Sequence, residues 1–303
     1  MKPDYKIDMF AHILPEKFLA SLNSKNPKPH NNVESLYPAV CNLDIRFRLM
    51  ERYPGVLEVI TISQPPLEEL VLPEDGVKLS RIANDELAEL ILKFPNKFLS
   101  AAACVDLDDM DAALDEIDRA ITVLGLKGVQ IFTSLHGEYP DNPKFRPLFE
   151  KMNRYDLPVW IHPNLSAGRG LETSTVMERL VSAGIFQEFP NIKIIVHHCG
   201  GGMPFFLHRM SLPSGMGIDK IPDRVQQLQK FYGDTATIGT SALMCGYEFF
   251  GPDHLLFASD SPLGGKFGQT LDAIKQVEDM NVPDSVKDRI FFQNALKLLK
   301  LAV

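Results

Sequence analysis

Four of the eight histidines and one aspartate share a placement from which chemistry could be done. His12, His162, the adjacent His197 and His198, and Asp260 each stand at or just after the end of a short apolar, β-branched run. Neutral imidazoles with a carboxylate suit a divalent ion such as zinc or manganese, leaving one position for water. One strand-end histidine taken alone reads as a structural residue. Several runs ending alike point to a single shared site, provided the fold brings those ends together. His30, His136, His208 and His254 fall in loops or helices and are expected to be solvated or locally hydrogen bonded, with His136 and His208 the two that could reach the site.

The elements that must position these groups follow from periodicity. Strands are expected near Tyr5–Phe10, Leu57–Ile62, Phe98–Cys104, Lys127–Phe132, Pro158–His162, Ile192–His197, Phe231–Thr235 and Leu255–Ser259. Between them, apolar residues recur at three- and four-residue spacing over Val77–Lys93, Met110–Leu124, Phe145–Tyr155, Val176–Phe189 and Leu271–Met280, which predicts helices. Corners such as Phe94-Pro95-Asn96, Phe189-Pro190-Asn191 and Gly251-Pro252-Asp253 end a helix and turn the chain into the next strand. Strands alternating with helices pair in parallel, because each crossover returns the chain to the same end of the sheet. Eight such units predict an α/β chain folded as a (β/α)8 barrel, and no glycine-rich phosphate turn follows the first strand to favour an open, nucleotide-binding sheet. In such a barrel the carboxyl ends of the strands converge on one mouth. His12 and Asp260, far apart in sequence, then become neighbours. We expect residues 1–303 to form a single domain with two insertions at the mouth, Ser21–Asn42 and Leu207–Gln227, as candidate lids.

The chain has 303 residues, 45% of them hydrophobic and 23% charged, a balance too apolar for disorder. Its net charge of −8 and lack of a Lys/Arg-rich run argue against a nucleic-acid partner, which needs a basic stripe. No apolar run approaches the roughly 20 residues of a membrane helix, and the opening apolar run is too short for a signal-peptide core, so a cytoplasmic protein is expected. The four cysteines lie far apart with no paired spacing, and are expected to be small reduced hydrophobes rather than a zinc knuckle or a disulfide framework.

The motifs carry a family resemblance. Lys6-Ile7-Asp8-Met9-Phe10-Ala11-His12-Ile13-Leu14-Pro15 resembles the opening strand of the amidohydrolase superfamily, in the branch named after aminocarboxymuconate-semialdehyde decarboxylase. Leu157–Pro163 resembles its fifth strand, His197–Pro204 its sixth, Phe231–Ala236 its seventh, Leu256–Leu263 its eighth, and Asn294-Ala295 the start of its closing helix. The resemblance implies a metal-dependent barrel enzyme, with His12, His162 and Asp260 as ligands of one divalent ion, zinc first and manganese second. It places His198 as acid/base or further ligand. The family's first strand reads His-x-His, and here Phe10 stands in the first place and cannot ligate. Three protein ligands still suffice for a catalytic divalent site. His197 is the nearest spare imidazole, but neighbours on a strand point to opposite faces, so one of His197 and His198 is expected to face away from the mouth. Asp8 is expected to orient an imidazole by hydrogen bonding.

Non-oxidative decarboxylation of a small unsaturated or aromatic carboxylic acid is the favoured chemistry, with His198 protonating carbon. The runner-up is hydrolysis of a lactone or amide, with Asp260 as base. The family's second-metal lysine has no counterpart at the fourth strand, where Gln130 and Phe132 stand as candidate substrate contacts. Arg169, between glycines, is the preferred partner for a substrate carboxylate, whereas Arg46 and Arg48 are expected on a solvated helix face. A catalytically silent binding protein on the same barrel is the alternative from another class, and the resemblance also suggests a homodimer.

Overall fold

The wall of the barrel starts with β1, Lys6–Ile13, buried along nearly its whole length because both of its faces are covered. The chain is described here by a computed structural model covering residues 5–26, 33–62, 66–164, 169–210, 221–236, 239–263 and 269–301. β2 (Val56–Ile62) pairs in parallel with β1, and β3 (Phe98–Ala101) with β2. β4 (Ala103–Cys104) continues β3 after a single residue but pairs with β5 (Val129–Phe132). There Ala102 N–H donates to Ile60 O and Ala103 N–H to Gly128 O, so one strand leaves its first neighbour for its second. β6 (Pro158–His162), β7 (Lys193–Val196), β8 (Tyr232–Asp234) and β9 (Leu255–Leu256) follow, all parallel. The ring is completed where Met9 N–H donates to Phe257 O, Asp260 N–H to Phe10 O and His12 N–H to Ser261 O. With β3 and β4 counted as one position, eight strands close a (β/α)8 barrel.

Helices lie between strands where the spacing placed them, for example Pro73–Lys93, Met110–Thr122 and Arg146–Tyr155. Asp109 caps the second of these, its carboxylate accepting from Ala112 N–H, and Asp156 ends the third in a left-handed conformation at φ 53° just before β6. The segment expected as one helix over Val176–Phe189 is two, Arg169–Ser182 and Ile185–Glu188, broken at Gly184 with φ 76°. Arg169 therefore opens a helix rather than sitting within a loop, and its side chain lies outside the described residues.

The barrel is plugged below its mouth. Trp160, wholly buried, sends its indole N–H across to Met9 O at 2.9 Å. Gly128, at φ 149°, makes room for it, since a Cβ there would come within 2.2 Å of Pro158 O and 2.5 Å of the Trp160 ring. His162 lies two residues on from Trp160 and so shares its inward face, which puts the imidazole on the floor of the mouth. Of the two expected lids, residues 27–32 and 211–220 lie outside the described residues. Among those described, no helix is long and apolar enough to cross a membrane.

Candidate active site

His12 belongs to β1 itself, which runs three residues further than its pattern suggests, and its register partner on β2 is Thr61. Thr61 Oγ1 lies 3.2 Å from His12 Nδ1 and orients that ring, leaving Nε2 toward the barrel axis. His12 Nε2 is 3.0 Å from Asp260 Oδ1 and 3.4 Å from His162 Nε2. His162 Nδ1 faces Pro163 O at 2.9 Å; a carbonyl only accepts, so Nδ1 carries the hydrogen and Nε2 a lone pair. Burial, reinforced by the neighbouring His12 and His197, holds the His162 imidazole well below its ordinary pKa and hence neutral. A basic nitrogen and a carboxylate oxygen thus converge on His12 Nε2, an arrangement that attracts a proton or a cation. Asp260 reaches the cluster from a left-handed backbone at φ 62°.

The sixth barrel strand delivers both of its histidines to the mouth. β7 ends at Val196, so the alternation that would have turned one of the pair away no longer governs them. His198 and Cys199 adopt left-handed φ values of 53° and 56°, which swing His198 back over the mouth. His197 is fully buried and its ring stacks on Phe10, centroids 3.5 Å apart and planes 17° from parallel. Asp234, at the end of β8, organises the pair: Oδ2 meets His197 Nδ1 at 2.5 Å, and Oδ1 accepts from His198 N–H and Ala236 N–H. His198 is half-buried, with Nδ1 3.2 Å from Ala236 O.

Phe10 occupies the middle of this group. Its wholly buried ring lies 4.4 Å from the His12 ring, 5.3 Å from His162 and 6.1 Å from His198, as well as against His197. Asp8 plays a different part from the one expected. It contacts no imidazole; Oδ1 accepts from Phe10 N–H and Ser259 N–H, and Oδ2 from the Ser259 hydroxyl, so it ties β1 to the segment carrying Asp260. Burial raises its pKa to about 7.

Gln130 is buried and its Nε2 donates to Ile62 O at 3.0 Å, bracing the barrel wall, while its Oε1 is left without a hydrogen-bond partner among the described residues. Arg46 is not on a solvated face: it is 1% exposed, with Nε and Nη2 on Glu58 Oε2 and Nη1 on His12 O. Arg48 is exposed on its helix as expected. Phe132 is half-buried beside its register partner His162, ring centroids 5.3 Å apart, and borders the mouth. His136 pairs with Asp108 near the rim, His254 stacks on Tyr232 by the opposite strand ends, and His30 and the His208 side chain lie outside the described residues. Asp234, Thr61 and Ser259 were the contributors left unassigned; an acid closing a buried run, as Asp234 does, is the one signal that could have found them.

A family model described as amidohydrolase matches residues 73–301. The chain belongs to the amidohydrolase family. Among its curated relatives, this amidohydrolase is 26% identical over 291 residues to gamma-resorcylate decarboxylase of Rhizobium sp. strain MTP-10005, covering 85% of this chain and 87% of that one. It is 27% identical over 315 residues to 6-methylsalicylic acid decarboxylase of Penicillium expansum, covering 97% and 95%. Among solved structures it superposes on dihydroxybenzoic acid decarboxylase of Polaromonas sp. JS666, crystallised with manganese and the inhibitor 2-nitroresorcinol, with a TM-score of 0.82 at 23% identity over 98% of this chain and 97% of that one. The shared fold is the closed barrel described above.

Proposed function

We propose that the protein is a metal-dependent, non-oxidative decarboxylase of small aromatic carboxylic acids bearing a ring hydroxyl. The observation that carries this reading is the convergence of His12, His162 and Asp260 beside a separately held His198, in a chain whose relatives include gamma-resorcylate and 6-methylsalicylic acid decarboxylases. Among the described residues no group of three His, Cys, Asp or Glu already stands ready to hold an ion. The donor chemistry nevertheless fits one. Imidazole nitrogens and a carboxylate oxygen meet at 3.0 and 3.4 Å, about the donor-to-donor separation around a divalent ion bound at roughly 2.1 Å. Manganese, present in the Polaromonas enzyme, is the first metal to load, and zinc the second.

When bound, such an ion stabilises negative charge on substrate oxygens. The chain's own residues do the rest. Phe132 offers an aromatic ring at the border of the mouth against which a planar acid packs. His198 donates Nδ1–H to Ala236 O, so Nε2 is the atom that exchanges a proton with substrate. Nε2 takes up a proton from solvent and passes it to the ring carbon bearing the carboxylate; the bond from that carbon to the carboxyl group then breaks, its electron pair stays with the ring, and carbon dioxide leaves. Atoms and charge balance as carboxylate plus proton giving arene plus carbon dioxide. Arg169 has a backbone that opens the helix after β6, and we keep it as the proposed partner of the substrate carboxylate.

The test is a panel of hydroxybenzoic acids and lactones incubated with manganese- or zinc-loaded protein, tracking carbon dioxide and acid release separately. Carbon dioxide release supports the proposal. Acid release alone would replace it with hydrolysis, and neither product from any compound would replace it with a binding role.

A further inference from the structure

His197 has a property that the decarboxylase reading leaves unused. Its Nδ1 lies 2.5 Å from Asp234 Oδ2, and a buried carboxylate holding two other N–H groups accepts rather than donates, so the hydrogen is on Nδ1. Nε2 is then a lone pair, and it is buried without a hydrogen-bond partner. Leaving such an atom unmet is costly, because its desolvation is not repaid. An imidazole tied through one nitrogen to a carboxylate, with the other bare, is how proteins present histidine to a metal, because the carboxylate fixes the ring and makes the lone pair more basic.

The spacing of the rings about His162 agrees. Imidazoles bound to one ion at about 2.1 Å and near-tetrahedral angles have centroids about 5 Å apart. The His12 and His162 rings are 5.1 Å apart, and the His162 and His197 rings 5.5 Å. His198, by contrast, is 6.4 Å from His197 and is turned to Ala236 O. The ring lying directly on His197 is Phe10, which stands where the family's first ligand would be.

We propose that His197 replaces the donor missing at position 10, so that the ion is held by Nε2 of His12, His162 and His197 with a carboxylate oxygen of Asp260, leaving His198 for proton transfer. This rests on the metal-dependent reading of the same site. Phe10 is then the wall against which the substituted ligand packs, and any adjustment on binding falls on the stacked pair.

The test compares the wild type, His197→Asn, Phe10→His and the double variant, each stripped with chelator and titrated with cobalt(II) without substrate. Asparagine keeps an amide that can donate to Asp234 while removing Nε2, so the contact to Asp234 is retained. The readouts are the ligand-field absorption of bound cobalt and the affinity measured against a chromophoric chelator. The His197→Asn variant is expected to bind cobalt at least about a hundredfold more weakly, the upper end of the effect of losing an orienting partner. Its absorption bands should shift, and adding Phe10→His should recover affinity to within about tenfold, the lower end of that range. Unchanged affinity and bands in His197→Asn would overturn the proposal, as would a wild type that binds no divalent ion. A failure to release carbon dioxide from any acid would remove the decarboxylase reading and leave this result standing.

Discussion

Two buried clusters place negative charge inside this barrel, and they are completed in opposite ways. On the outer wall, Glu58 is buried and meets Arg46 through Oε2, with Oε1 left without a partner among the described residues, and the third Arg46 contact reaches His12 O. At the mouth, Asp234 and Asp260 are met by imidazoles, and one of those, His197, keeps a bare nitrogen. Burying a charge is costly unless a partner neutralises it. The wall supplies its cation from the chain. The mouth presents donors and leaves the cation to come from outside, which separates a cluster built for stability from one built for binding.

Each half of that contrast can be broken. The largest effect expected is His198→Asn, which removes the proton carrier and should lower kcat by about a hundredfold to ten-thousandfold, with cobalt affinity nearly unchanged. Loss of metal along with activity would instead place His198 among the ligands. On the wall, Arg46→Ala strands Glu58 without a cation and should cost about 3–5 kcal/mol in urea unfolding. A smaller loss would mean that water reaches Glu58 and that the wall is not sealed.

Asp234→Asn sharpens the mouth side. It removes the anchor that fixes the His197 tautomer and should weaken metal binding about ten- to hundredfold, with much less change in stability than Arg46→Ala. The smallest effect concerns Glu68, a buried carboxyl whose pKa burial raises to about 7. A carboxyl with a raised folded-state pKa holds its proton more tightly when folded. Its contribution is therefore complete below the ordinary value of 4.5 and is lost as pH rises to about 7. The Glu68→Gln variant keeps an oxygen for Leu107 N–H, which the carboxylate now accepts at 2.7 Å, without the titration. Between pH 5 and 8 it should gain on the order of 1–2 kcal/mol relative to wild type in denaturant melts, and a flat difference would contradict the raised value.

The alternation of short β-branched runs with helical spacing determined the barrel, because period and parallel crossover are local properties. It located all eight strand positions and put His12, His162 and Asp260 at one end, including the split third strand, which reads as a single run at Phe98–Cys104. Resemblance in the ordered motifs supplied the family. The sequence could not decide where side chains at strand ends turn. His197 and His198 both reach the mouth because β7 stops one residue short and the next two residues but one are left-handed, a backbone choice fixed by Asp234 from another strand. Arg46 looks like a surface helix residue until Glu58, on a strand beside it, shows where its charge is needed. Asp8 binds Ser259, 251 positions away. Partners of buried polar groups are set by three-dimensional proximity, and no local pattern encodes that, so the tertiary structure alone assigned these contacts and left His197 Nε2 bare.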